Sequence, residues 1–330
     1  MRKILTKEKG DLTMKEYVFG ADLGGTTCKL GLFKSDGSLM EKWEIPTDTS
    51  NNGANILRDI SEALHAKLTE KGIAEDQVEG VGLGIPGPVN EQGVVNRCVN
   101  LGWGVIPIEK DFANISGFKV KAGNDANVAA MGEAFVGAGK GAESVVMITL
   151  GTGVGAGIIL DGKIIAGHNG AAGEFGHIKV VDGETETCGC GKCGCLEQYA
   201  SATGVVRLAK RALASSDKES ALRNLKDDEL TAKDVFDEAK AGDELAKEII
   251  HEFAAILGSA LAKLCTIVNP EMIVIGGGVS KAGKIILDEL DGPFKEEVFH
   301  AAEGTQIALA TLGNDAGIYG GAGMIINAAK

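Results

Sequence analysis

The chain has 330 residues, of which 44% are hydrophobic and 24% are charged. This composition is ordinary for a soluble globular protein and excludes a disordered or low-complexity chain, and the length favours two domains or one large one. Lys and Arg total 33 against 46 Asp and Glu, for a formal net charge of −13. This acidic balance argues against nucleic-acid and anionic-membrane partners but does not exclude a nucleotide ligand.

The apolar stretches are too short to predict a membrane protein. None approaches the roughly 20 residues that span a bilayer, and Lys263 interrupts the stretch over 256–268. The N-terminus offers only Ile4 and Leu5 as an apolar pair, which is too little for the core of a signal peptide. We therefore expect a cytoplasmic protein in which residues 1–16 form an N-terminal extension without ordered structure.

Hydrophobic periodicity predicts an α/β chain that opens with a β-hairpin. In the first half, strands are predicted over 17–22, 27–33, 78–85 and 118–122, and helices over 56–68 and 126–135. After a surface turn over 137–141, strands are predicted over 145–150, 154–160 and 272–275, and helices over 196–214, 245–268 and 318–328. The last helix is expected to pack back on the first domain, and the mixed-charge stretch over 215–234 is interpreted as a solvated helical excursion.

The second half repeats the opening hairpin at a constant spacing along the chain. Gly24 aligns with Gly151 and Asp22 with Thr149, so a turn of Gly and Thr joins the strands of each hairpin. Two ordinary glycine turns could give the same pattern. We favour a duplication, which predicts two α/β domains facing each other across a cleft. The first comprises residues 17–122 with the C-terminal helix over about 315–330, and the second residues 123–314.

Four of the seven cysteines lie within eight residues, at Cys188, Cys190, Cys193 and Cys195. In a cytoplasmic chain, a glycine-spaced knot of this kind predicts metal binding, with a redox pair or a coincidental turn as the alternatives. We expect zinc. His177 would complete a tetrahedral site with Cys188, Cys190 and Cys195, leaving Cys193 over, whereas an all-cysteine site is the competing ligand set.

Two glycine-rich segments suggest ligand binding through the main chain. The segment over 22–27, Asp-Leu-Gly-Gly-Thr-Thr, can offer amides to a phosphate, although a purely structural turn is the alternative. It is not a P-loop, because the residues after Gly25 continue as a strand. The segment over 82–87 matches Gly-x-Gly-x-x-Gly, but Pro86 and Pro88 prevent a helix from following, so it predicts a wall of the substrate cleft rather than a dinucleotide site.

Three acidic residues lie at positions where they could act on or bind a substrate. Asp125 follows a predicted strand and begins a helix, so it either caps that helix or accepts a proton from an attacking hydroxyl. A metal bound by His177 and Cys195 would bring Glu174 and Glu197 together as partners for sugar hydroxyls. His177 could then hold the metal with one nitrogen and donate to the ligand with the other. A remote structural zinc with solvated glutamates is the alternative.

Together these motifs resemble the ROK family of sugar kinases and repressors, within the actin-like and hexokinase-like ATPase superfamily, and they look most like its bacterial glucokinases. The resemblance covers nearly everything from Tyr17 onward. It implies two actin-like or hexokinase-like (ribonuclease H-like) α/β domains around a hinged cleft, usually in a homodimer or larger assembly. The implied activity is phosphorylation of glucose to glucose 6-phosphate, with ATP, Mg²⁺ and structural Zn²⁺.

The resemblance also assigns roles to individual residues. Asp125 is the implied general base for the sugar 6-hydroxyl. The implied sugar-binding residues are Gly87, Asn100, Asn124, Asp125, Glu174, His177 and Glu197. The implied ATP-binding residues are Asp22, Gly24, Gly25, Thr26, Thr27, Gly151, Thr152, Gly153, Gly276, Gly277 and Gly278, of which the last three line the adenosine pocket. The implied zinc ligands are His177, Cys188, Cys190 and Cys195, in a loop over 177–195.

Two features set this chain apart within that resemblance. Cys193 is an extra thiol inside the knot, and the first predicted strand already begins at Tyr17. Repressors of the family carry a DNA-binding helix-turn-helix ahead of that strand, so a kinase is favoured over a repressor. The remaining alternatives are a kinase for N-acetylmannosamine, N-acetylglucosamine or fructose, a sugar-sensing regulator without turnover, and a zinc scaffold that binds no ligand.

Overall fold

A computed structural model describes residues 14–329 of the chain. The strands are β1 (Tyr17–Leu23), β2 (Thr27–Lys34), β3 (Leu39–Pro46), β4 (Val78–Ile85), β5 (Val120–Asn124), β6 (Ser144–Leu150), β7 (Val154–Leu160), β8 (Lys163–Ile164), β9 (Met272–Gly276) and β10 (Gln306–Leu309). The helices are α1 (Ser50–Gly53), α2 (Ile56–Lys71), α3 (Ile108–Ser116), α4 (Asp125–Phe135), α5 (Glu197–Ala200), α6 (Ala202–Ser215), α7 (Ala232–Ala241), α8 (Glu244–Val268), α9 (Lys284–Glu297) and α10 (Ala316–Ala329).

The strands form two five-stranded sheets with the same topology. The first has the order β3-β2-β1-β4-β5, and the second, read from its opposite edge, has the order β8-β7-β6-β9-β10. In each sheet an antiparallel hairpin lies beside two strands that run parallel to its first strand. The mixed α/β class is therefore as predicted, and each sheet carries its own apolar core.

The predicted internal repeat coincides with the strand boundaries. β1 and β6 begin at Tyr17 and Ser144, and β2 and β7 begin at Thr27 and Val154, so both pairs of strands keep the spacing predicted for the turns. The parallel neighbours match as well, because Asp22 pairs with Gly84 while Thr149 pairs with Gly276. The two turns therefore occupy equivalent places in the two sheets.

Helices α4 and α10 pack against each other and against β-strands by direct backbone contact. A Cβ atom on Gly320 would lie 1.7 Å from the Val128 carbonyl oxygen, and one on Gly20 would lie 1.8 Å from that of Ile318. Neither position has room for a side chain. α10 covers the first sheet, where Ile318, Ala322 and Ile325 pack against Val18, as predicted for the final helix.

A buried carboxylate joins the end of α4 to the segment that leads from β10 into α10. Glu133 is 0% exposed, and its carboxylate accepts the N–H groups of Ala138 (2.8 Å), Thr311 (3.0 Å) and Leu312 (2.8 Å). Main-chain donors therefore surround it, and no residue within 14–329 gives it a cationic partner. The bonds fix α4 relative to the start of α10.

Helix α8 is long and apolar enough to cross a membrane, judged by length and composition alone. However, 61% of its most apolar window is buried inside the protein. Phe253, Leu257 and Leu261 are fully buried in the core of the second sheet. These contacts identify α8 as a core helix of that half.

Three predicted elements differ from the structure. The strand predicted over 118–122 is β5, two residues later, because Gly117 closes α3 in a left-handed conformation. The helix predicted over 196–214 breaks at Ser201, whose side chain caps α6 by accepting the Gly204 N–H. The excursion over 215–234 is mainly a loop with one helical turn around the buried Leu222, since Arg223 donates to main-chain carbonyls there.

Residues 1–13 of the predicted N-terminal extension lie outside the described part of the chain. Its last residues are described, and Lys15 is anchored there: its N–H donates to Glu79 and its ammonium to the Val78 carbonyl, both at 3.1 Å. The predicted division into domains at 122/123 stays a prediction, because α4, just after that point, packs on both β4 and β7.

Candidate active site

The segment that carries Asn124 and Asp125 joins β5 to α4. The Asn124 side chain accepts the Ala126 N–H (3.0 Å) and donates to the Gly87 carbonyl (3.2 Å), so it both caps α4 and ties it to the turn after β4. Asp125 accepts the same N–H at 2.8 Å. Both residues therefore cap α4, and the cap fixes the Asp125 carboxylate at the start of that helix.

Three carboxylates lie within electrostatic reach of one another at this point. Burial raises the pKa of Asp125 above its ordinary value, and the charge of Glu174 raises it further, although hydrogen bonds from Ala126 and Asn124 oppose the shift. Asp125 as a whole residue is nevertheless exposed to solvent. Burial also raises the pKa of Asp22, where Lys29 opposes the shift and Asp125 adds to it.

Each of the two equivalent turns is closed by one main-chain hydrogen bond. In the first, the Gly24 N–H donates to the Thr27 carbonyl (2.9 Å), and Gly25 faces open space. In the second, the Gly151 N–H donates to the Gly153 carbonyl at 2.9 Å. Thr26, Thr27 and Thr152, which flank these glycines, are exposed. Such turns can hold an anion through backbone amides and hydroxyls.

His177 and three cysteines of the knot converge on one point. The ligand atoms of His177, Cys188, Cys190 and Cys195 lie within 4.8 Å of one another. His177 Nδ1 is 3.8 Å from Cys188 Sγ, and the sulfurs of Cys190 and Cys195 are 3.6 Å apart. Tetrahedral zinc with thiolate bonds near 2.3 Å places its ligands about 3.7 Å apart. The cluster is therefore compatible with zinc, and Cys193 lies outside it with its Sγ near the Thr185 carbonyl.

Glu197 connects this cluster to the second turn. Its Oε2 accepts the Val154 N–H at 3.0 Å, and its Oε1 accepts from Cys188 Sγ at 3.7 Å. A Cβ atom on Gly153 would lie 2.3 Å from Oε2, so only glycine allows this approach. On the other side of the cluster, His177 Nε2 is 4.0 Å from the Glu174 carboxylate. The structure thus places Glu174 and Glu197 beside the same cluster, as the sequence predicted.

Comparison with known proteins adds a decisive observation to this geometry. The profile of the ROK family matches residues 18–328. The chain belongs to the ROK family. It is 43% identical to a glucokinase of Halalkalibacterium halodurans over 94% of each chain, and 32% identical to the N-acetylgalactosamine kinase AgaK of Shewanella over 92% of this chain and 95% of the relative.

A solved ROK structure also matches the fold. The glucokinase of Streptomyces griseus in complex with glucose and AMPPNP is 34% identical, with a TM-score of 0.69 over 93% of this chain and 98% of that one. The predicted fold class, two hexokinase-like α/β domains of the actin-like superfamily, is therefore confirmed. The individual roles of the site residues stay predictions.

The remaining predicted ROK site residues lie in several different places in the structure. Gly276 ends β9 beside Thr149, next to the second turn, and Gly278 borders a cavity of about 320 Å³. Gly87 contacts Cys98, which lies near Asp125. Asn100 is exposed and makes no side-chain hydrogen bond to any other residue within 14–329. Its main-chain N–H nevertheless lies beside the Cys98 thiol, which is near Asp125.

The sequence analysis missed residues of α7 that border the Gly278 cavity. Thr231, Lys233 and Phe236 line it together with Ala202 and Lys281. A signal was present, because Thr231 and Asp234 form a capping box that marks the start of α7. Interpreting 215–234 as a solvated excursion obscured it.

A second missed group anchors the cysteine knot independently of any metal. The Tyr199 hydroxyl donates to Glu184 at 2.6 Å, and Arg207 pairs with the same carboxylate at 2.5 Å. Hydrogen bonds from Tyr199, the Glu186 N–H and Arg207 hold the pKa of Glu184 well below its usual range. The knot is thus fastened to α6 on the side away from the cluster.

Proposed function

We propose that the protein transfers the γ-phosphoryl group of ATP to the 6-hydroxyl of glucose. The observation that carries the proposal is the position of Asp125, fixed at the start of α4 within electrostatic reach of Asp22 on the first turn and of Glu174 beside the cysteine cluster. The ROK relatives with glucokinase activity, and the glucokinase crystallised with glucose and AMPPNP, support the same reaction.

Asp125 acts as the general base in this reaction. The 6-hydroxyl gives its proton to a carboxylate oxygen of Asp125 while its own oxygen bonds to the γ-phosphorus. The bond from that phosphorus to the bridging oxygen breaks, and its electron pair leaves with ADP. A raised pKa makes the carboxylate a stronger base than an ordinary aspartate, as proton transfer near neutral pH requires.

The other residues divide between the two substrates. Gly87, Asn100, Asn124, Glu174, His177 and Glu197 bind the sugar hydroxyls, with the free Nε2 of His177 facing the Glu174 side. The amides and hydroxyls of the two turns, at Asp22–Thr27 and Gly151–Gly153, bind the phosphates. The segment 276–278 and the cavity bordered by Phe236 take the adenosine. Mg²⁺ bound to ATP supplies neutralisation of the β- and γ-phosphates.

Zinc, when bound, supplies a structural tie at His177, Cys188, Cys190 and Cys195. Three sulfurs and one imidazole nitrogen are the donors that structural zinc prefers. The tie orients His177 and fixes Cys195, which stands two residues before Glu197. We further propose a homodimer or larger assembly and a cytoplasmic location, on the strength of the family resemblance.

An acetamido-sugar kinase is the second candidate, because AgaK shares 32% identity over nearly the same length. The test is ADP release from Mg-ATP with glucose, mannose, fructose, N-acetylglucosamine, N-acetylmannosamine and N-acetylgalactosamine, beside a control without sugar. We expect glucose to give the highest kcat/KM. Higher kcat/KM with an acetamido sugar would replace the substrate and keep the mechanism, and no turnover on any sugar would refute the kinase.

Loss of the metal is expected to weaken sugar binding. The Cys190→Ser variant removes one ligand, so we expect it to lose zinc and to raise the KM for glucose about tenfold, because His177 and Glu197 lose their common support. Cys193→Ser is the matched control, since Cys193 lies outside the cluster. Metal analysis and glucose titration check both variants, and a metal-free Cys190→Ser protein with an unchanged KM would contradict the coupling.

A further inference from the structure

Asn127, two residues after the proposed base, carries a buried polar atom without a partner. The residue is 2% exposed and lies in the first turn of α4. Its Oδ1 accepts no hydrogen bond within the described residues. Buried acceptors are almost always paired, because an unpaired one has lost its contact with water and gained nothing in return. Asn127 also lines a cavity of about 700 Å³, so a partner for this oxygen has room to approach.

The segment that faces Asn127 carries donors without partners. A Cβ atom on Gly173 would lie 3.9 Å from Asn127 Oδ1, so the backbone at Gly173 runs past this oxygen. The Gly173 carbonyl already accepts the Phe175 N–H at 2.6 Å. By contrast, the N–H groups of Gly173 and Glu174 donate to no acceptor within residues 14–329. The unpaired Asn127 Oδ1 of α4 therefore lies beside a segment with two unpaired main-chain N–H groups, those of Gly173 and Glu174.

Gly173 holds this segment in a conformation that suits glycine. Its φ of +89° is a conformation that residues with side chains rarely adopt, and a Cβ atom would lie only 2.4 Å from the Ala156 carbonyl oxygen. Glu174 itself is exposed at the cleft, whereas Phe175, the next residue, is buried. The segment is therefore anchored in the core at Phe175, while Glu174 stays accessible to a ligand.

We propose that Asn127 is a positioning residue for sugar binding. In the sugar-bound enzyme its Oδ1 accepts a main-chain N–H of the Gly173–Glu174 segment, which locks the Glu174 carboxylate against the sugar. The bond ties Glu174 to the helix that carries Asp125, so the sugar is fixed relative to the base. This inference rests on the proposed function, in which Glu174 binds the sugar.

The test compares variants of the full-length protein by thermal unfolding, with and without glucose, and by steady-state kinetics. Asn127→Leu keeps the shape and removes the acceptor. Because the acceptor is unpaired without sugar, we expect the Tm without glucose to stay unchanged or rise, the glucose-induced increase in Tm to shrink, and the KM for glucose to rise about tenfold. The KM for ATP should change less than about twofold.

Two further variants make the outcomes separable. Asn327→Leu is the matched control, because the Asn327 amide donates to the Gly162 carbonyl at 3.2 Å and is therefore already partnered. We expect it to lower the Tm equally with and without glucose. The proposal fails if Asn127→Leu behaves like this control. Unchanged glucose affinity in Glu174→Ala would instead overturn the proposed sugar site itself.

Discussion

The Asp125→Asn variant is expected to lose about 10³-fold in kcat, in line with the loss of a general base. Asn keeps the hydrogen bond to the Ala126 N–H but cannot take the proton of the sugar hydroxyl. Glucose affinity should change by less than about threefold, because the amide retains most of the contacts of the carboxylate. Asp161→Asn is the matched control, since Asp161 is exposed in the turn between β7 and β8 with a φ of 50° that Asn also adopts.

Stability provides a second readout for the same variant. A carboxyl group whose pKa is raised by folding is stabilised as the neutral form, so its ionised form opposes folding once the pH exceeds its pKa in the unfolded chain. Replacing Asp125 by neutral Asn removes that opposition at pH 7. We therefore expect a Tm equal to or above that of the wild type, together with the loss of turnover. A lower Tm with partial activity would mean that Asp125 is a structural cap.

The pH profile follows from the same shift. The base must be ionised, so kcat/KM for the wild type should fall as the pH drops through the pKa of Asp125. Since burial and Glu174 raise that pKa, the acid limb should lie above the value of about 3.9 for a free aspartate. Glu174→Gln removes the neighbouring charge and should move the limb to lower pH.

The Glu133→Ala variant is expected to lower the free energy of unfolding by about 3–5 kcal/mol, because each buried N–H left without an acceptor costs about 1–3 kcal/mol. The N–H groups of Ala138, Thr311 and Leu312 would all lose their acceptor. Glu133→Gln keeps one carbonyl oxygen and should lose less. Chemical denaturation followed by circular dichroism measures both.

The control for this experiment is Glu296→Ala, an exposed glutamate of α9 without an ion pair or side-chain hydrogen bond among the described residues. It should change stability by less than about 0.5 kcal/mol. If Glu133→Ala lost no more than this control, the link between α4 and the start of α10 would not stabilise the fold.

The elements that the sequence predicted well carry strong local signals. The hairpin at Tyr17, its copy at Ser144, and helix α8 were found because glycine turns and long apolar periods are properties of short segments. The convergence of His177 with three cysteines was predictable for the same reason, since the spacing of the ligands limits how the chain can fold around one ion.

The parts that were missed depend on contacts between distant segments. β10 is a short edge strand that pairs with β9 across the whole of the intervening helix α9, and no local pattern identifies it. Glu133 looks like an ordinary helix residue until Thr311 and Leu312 are brought beside it. The role of Glu197 as a link between the cysteine cluster and the second turn likewise requires the position of Val154.

The backbone contacts of Gly20 and Gly320 limit how this chain can diverge. At both positions the nearest neighbour of a new side chain would be a carbonyl oxygen of another element, so no rearrangement of side chains could make room. A larger residue elsewhere in the core can be accommodated when a neighbouring side chain becomes smaller. At these two positions the neighbour is backbone, which cannot become smaller. At the junction of α4, α10 and β1, these two positions therefore tolerate glycine alone, and sequence change is expected elsewhere in the chain.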